Sequence, residues 1–201
     1  QMETEGRPDG TRPEGFDTYL DYIRDQYADH PNARFSEHEC QEMDREFLQF
    51  YHRRISWLAL REFANALRDA DHTLALMDMV AAHSPDPAWT ESHEQHRSYV
   101  LFHRTQAAAL AELQETGPAA AIEAINRGIE QIQAAMQRGE SLGLAEQQPD
   151  EVAQLEQLKE WFREEFRLGR TLQEQLSDAV ANEDYERAAR LRDTIAKRSP
   201  P

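Results

Sequence analysis

PAAAIEAINRGIEQIQAAM, residues 118–136, decides the fold class. Ile122, Ile125, Ile129, Ile132 and Met136 recur in steps of three and four, the spacing that lines one face of an α-helix. A half-buried strand needs a period of two, and no segment of this chain shows it. Gly117 fits the position just past one helix. Pro118 fits the first turn of the next, where its missing N–H costs nothing. The stretch predicts two helices joined by a tight turn, and an all-α protein.

The same spacing extends upstream. A helix is expected from about Trp89 to Glu115, opened by Asp86 as N-cap and Pro87 at the first helical position. Phe63, Leu67, Ala70, Leu74, Met77 and Ala81 form the seam of another. Met43, Phe47, Phe50, Ile55 and Leu58 mark a long helix opened by a capping box of Ser36 and Glu39, with a break near 61–64. Phe16, Tyr19, Leu20, Ile23 and Tyr27 give a short helix that stops at His30-Pro31. Residues 1–15, with Gly6, Pro8, Gly10, Pro13 and Gly15, read as an extended or turn-rich lead-in.

Downstream, residues 138–148 read as a loop. Pro149-Asp150-Glu151 opens a connecting helix carrying Val152, Leu155, Leu158, Phe162 and Phe166, punctuated by Gly169. The expected organisation is a lead-in (1–15), a helical body (16–148), a connecting helix (149–169) and a C-terminal helical hairpin (170–198). Ala109, Gly117, Ala121, Ile125 and Gly128 resemble the small and apolar positions of tetratricopeptide repeats, with a weaker echo at Phe63, Ala66 and Ala70. The echoes lie 55 residues apart, against a usual period of about 34. A lengthened repeat pair and a plain helical bundle both fit.

The charges are segregated. The chain carries 38 acids and 22 bases, a net −16. Residues 170–198 hold six of each, so the whole imbalance lies before them. Nonspecific nucleic-acid affinity comes from basic side chains that displace counterions, and this body lacks the excess. Direct nucleic-acid binding by the body is not expected. No apolar run reaches the roughly 18 residues of a membrane span. Cys40 is the single cysteine, which excludes an intrachain disulfide and suits a cytoplasmic setting. No signal peptide is visible, and Gln1 ahead of Met2 suggests a processed start.

The balanced C-terminal segment reads LGRTLQEQLSDAVANEDYERAARLRDTI, residues 168–195. Leu172, Leu176, Ala179 and Val180 share a face of one helix. Asn182 to Asp184 form a turn, with Asp184 as N-cap. Ala188, Ala189, Arg192 and Ile195 share a face of a second helix, where small alanines let backbones approach closely. Two helices alone bury only their mutual seam, so one apolar face is left open.

These residues, with Glu183, Tyr185, Glu186, Leu191 and Asp193, resemble the UVR motif, the helical hairpin shared by the B and C subunits of the bacterial excinuclease. The resemblance implies pairing with a similar hairpin on another subunit. Leu172, Leu176, Val180, Tyr185, Ala188, Leu191 and Ile195 would be its apolar anchors, and Arg192 and Asp193 would set register through charge. GRPDGTRPEG (6–15), YHRRISWLALREF and RSYVLFHRTQAAAL further resemble bacterial proteins of unassigned function that end in a UVR motif. In that group a short β-containing segment precedes the first stretch, and this chain lacks it.

Chemistry-bearing patterns are weak. Offsets of 0, 3 and 10 place His93, His96 and His103 on one helical stripe, yet His103 would sit about 10 Å beyond His96, too far for one mononuclear site. HEQH is one residue short of the H-E-x-x-H of metalloproteases. Carboxylate pairs such as Glu164-Glu165 read as solvated faces. Cys40 reads as a quiet thiol, with Glu37 and Glu39 opposing its ionisation. Glycine-rich phosphate loops and nucleophile elbows are missing. Aromatics at helical spacing, Trp161 and Tyr99 among them, read as core.

The expectation is a non-enzymatic adaptor without catalytic residues, metal or cofactor, recruiting a protein partner: another UVR-motif protein or a second copy of itself. The alternative is a DNA-repair accessory using the edge formed by Arg187, Arg190, Arg192, Lys197 and Arg198.

Overall fold

Ile122, Ile125 and Ile132 are fully buried and Ile129 nearly so, which places the isoleucine stripe at the centre of the largest core. The computed structural model describes residues 2–141 and 150–198. In chain order the helices are α1 (Tyr19–Tyr27), α2 (Glu37–Leu60), α3 (Phe63–His83), α4 (Pro87–Glu94), α5 (Arg97–Glu115), α6 (Pro118–Ser141), α7 (Asp150–Phe166), α8 (Leu172–Ala181) and α9 (Tyr185–Arg198). No strand occurs among the described residues, and the fold is all-α.

The stripe on α6 packs against Leu101, Phe102 and Ala109 of α5, and Leu155 and Phe162 of α7 close the same core. Gly128 sets how near α5 and α6 can come. A Cβ there would lie 2.0 Å from Thr105 Oγ1 and 2.5 Å from Thr105 Cβ, so the contact admits no side chain. α3 packs between α2 and α5. Ala70, Met77 and Val100 seal that middle layer. A further core joins α1 to α2 and α3 through Tyr19, Leu20, Ile23, Met43, Leu76 and Val80.

Local signals set most helix ends. Ser36 and Glu39 form the expected capping box, and Asp86 accepts from the Ala88 N–H with Pro87 beside it. Gly117 sits at φ 118 between α5 and α6. Arg61, at φ 60, ends α2 in the left-handed region, where the sequence placed the break.

The lead-in is turn-rich, with a 3-10 turn at Pro13–Gly15, and it is tied down by charge. Arg7 is 4% exposed and reaches Glu42 at 2.8 Å. Arg53 Nη1 donates to the carbonyls of Glu3 and Gly6, at 3.0 and 2.8 Å. Fully buried Glu46 accepts from the backbone N–H groups of Tyr19 and Leu20, at 2.6 and 3.0 Å. Free N–H groups at a helix start need acceptors, and here a residue of α2 supplies them for α1.

Four expectations need correction. The first helix starts at Tyr19, not Phe16, because Thr18 caps it by accepting from the Asp21 N–H. The helix expected over 89–115 is two. The Gln95 N–H bonds four residues back to the Glu91 carbonyl and the His96 N–H three back to that of His93, and the chain turns before α5 begins. α6 continues through Ser141, past the loop expected from Arg138, a cation in the last turn being favourable to the helix dipole. The rest of that loop, 142–149, lies outside the described residues. Trp161 is 51% exposed and Tyr99 38%, so neither is core.

Candidate interaction hairpin

α8 begins at a capping box absent from the sequence reading. The Thr171 hydroxyl accepts from the Glu174 N–H at 3.2 Å, and the Thr171 N–H donates to Glu174 Oε2 at 2.8 Å. Glu174 does a second job. Its Oε1 accepts from Asn126 Nδ2 of α6 at 3.2 Å and from Arg163 of α7, while Lys159 of α7 donates to Asn126 at 3.2 Å. The helix cap is therefore also the hairpin's tether to the body. Partial burial pushes the Glu174 carboxyl up, but the Thr171 N–H, Asn126 and the cations Arg163 and Lys159 outweigh it and hold it below the usual range. T-x-x-E was the readable signal.

The turn is a Schellman arrangement. Glu183 adopts φ 58, its N–H donates to the Val180 carbonyl at 3.0 Å, and the Asp184 N–H donates to the Ala179 carbonyl at 2.8 Å. Asp184 Oδ1 then accepts from the Arg187 N–H at 3.1 Å, capping α9 as the sequence implied. Arg170 pairs with Asp178 along α8.

Of the hairpin residues 170–197, only Ala179 and Ala188 are buried, at 2% and 8% exposure. Leu172, Leu176, Leu191 and Ile195 are half-buried, and none of the nine residues singled out in the sequence joins the cores of the body. Val180 is 52% and Tyr185 68% exposed. Arg192 and Asp193 face solvent.

The histidines do not converge. His93 Nε2 meets Asp44 at 3.1 Å and its Nδ1 meets the Trp89 carbonyl at 3.0 Å, whereas His103 lies against the Tyr99 ring at 4.2 Å. No group of three or more His, Cys, Asp or Glu among the described residues could hold a metal ion. Burial, then Asp44 and Glu39, push the Cys40 thiol up. No helix among the described residues is long and apolar enough to cross a membrane.

The geometry is that of an all-α body ending in an accessible two-helix unit. Residues 169–197 match the UvrB/uvrC motif, UVR. The chain thus carries a UVR motif on a helical body. No curated protein matches the chain, and no solved structure does.

Proposed function

We propose that this chain is a non-enzymatic adaptor whose C-terminal hairpin recruits a protein bearing a complementary helical hairpin. One observation carries the reading: the hairpin seals two alanines and leaves Val180 and Tyr185 in water beside four half-buried aliphatic side chains. Two helices with an open apolar edge gain most by completing a bundle, and aromatic and aliphatic anchors supply most of the energy of such contacts. Leu172, Leu176, Val180, Tyr185, Ala188, Leu191 and Ile195 are the apolar contacts. Exposed Arg192 and Asp193 fix register through charge. The partner is another UVR-motif protein or a second copy of the chain.

Val180→Asp with Tyr185→Asp tests this without disturbing a buried group. Capture of the partner from native lysate by the tagged full chain should be lost while helical content stays constant. Undiminished capture would sink the assignment.

A second reading, a DNA-repair accessory, draws support from the name of the matched motif and from Arg187, Arg190, Arg192 and Lys197, which are all exposed. It requires DNA binding that weakens steeply with salt. No binding at low salt would dismiss it.

A further inference from the structure

Between α6 and the hairpin runs a groove of about 1090 Å³. Ala119, Ala120, Leu168, Leu172 and Ile195 give it an apolar lining. Adjacent alanines on a helix let a second backbone come close, and the volume accommodates the embedded side of a few helical turns. Glu112, Glu123 and Glu130 also line it, without ion-pair partners among the described residues. The groove's cations are Arg127 and Arg170, and Arg170 is committed to Asp178. An apolar floor beside surplus negative charge has a specific complement.

We propose that this groove receives an amphipathic helix with a basic polar face, supplied by another protein. The inference rests on the adaptor reading and deepens it, since Leu172 and Ile195 belong both to the hairpin and to the groove. Charge chooses among occupants. A second copy would bring one body of net −16 against another, and like charges across an interface are unfavourable. A basic helix gains both attraction and steering. Nucleic acid would face uncompensated carboxylates.

The test uses the purified full chain and two labelled designed helices of roughly 18 residues, long enough to hold helical structure. One carries a leucine stripe with lysines elsewhere; the other replaces every lysine by glutamate. The lysine probe should bind at about 0.15 M salt and the glutamate probe should not. Glu123→Lys with Glu130→Lys should weaken lysine-probe binding by about tenfold or more, roughly 1.4 kcal/mol. Asp29→Lys with Glu91→Lys, an equal reversal at exposed positions outside the groove, should leave it unchanged.

Equal weakening by both reversals, or by neither, overturns the proposal. So does a self-associated chain that Glu123→Lys with Glu130→Lys dissociates, because the occupant is then a second copy. Val180→Asp with Tyr185→Asp separates the two readings. It should leave probe binding intact, and recruitment that survives it strikes the exposed hairpin edge as the recruiting face, not the groove.

Discussion

Arg53 of α2 and Asp69 of α3 form a two-point ion pair, Nε to Oδ2 at 2.7 Å and Nη2 to Oδ1 at 2.8 Å, with both side chains buried. The remaining guanidinium nitrogen holds the Glu3 and Gly6 carbonyls. Removing one partner of a buried pair strands the other charge and costs about 3–5 kcal/mol. Asp69→Asn should lower stability by that order in urea unfolding. Arg53→Met with Asp69→Leu should recover much of the loss yet release the lead-in, seen as faster proteolysis within residues 2–17.

Gly128→Ala should destabilise despite alanine's better helix propensity. The added methyl meets Thr105 at distances no packed pair tolerates, and overpacking costs about 1–3 kcal/mol. Thr105→Ala in the same chain should restore only part, since the Thr105 Cβ itself lies 2.5 Å from the new atom. Thermal unfolding of the single and the double variant beside the parent chain checks this.

Glu174→Ala should loosen the hairpin while sparing the body. It removes the reciprocal half of the capping box, the acceptor of the Thr171 N–H, and the links to Asn126 and Arg163 together. Hydrogen exchange should accelerate at Leu172–Gln175 and stay unchanged in α2 and α3.

Acid should weaken the body through His103. It is 6% exposed with Nδ1 unpartnered among the described residues. Burial, reinforced by the Arg54 charge, lowers its pKa from 6.5 to about 4. The unfolded chain binds the proton first as pH falls, so stability present above about 6.5 is lost progressively towards about 4. The loss is about 3 kcal/mol. His103→Phe should flatten this part of the urea-midpoint profile, and an unchanged slope would reject the assignment.

Helix ends at Ser36, Asp86 and Gly117 were legible because their signals act within a turn of chain. The isoleucine stripe announced its own burial. The break at Gln95–His96 has neither glycine nor proline to mark it, and it was missed. Nothing near Arg7, Glu46, Arg53 and Asp69 in the chain signals their burial, because their partners sit 16 to 50 residues away. At the hairpin, the faces of the helices and the Asp184 cap could be read from spacing. Glu174's reach to α6 and α7 could not, since it depends on where the body places Asn126 and Arg163.

Glu46's role at the start of α1 has a kinetic consequence. Tyr19 and Leu20 find their acceptor on a helix that follows them, and the lead-in is latched by an arginine whose counter-charge is Asp69. During synthesis residues 2–20 therefore emerge ahead of the groups on α2 and α3 that hold them. This segment is made before its latch and can close only after it.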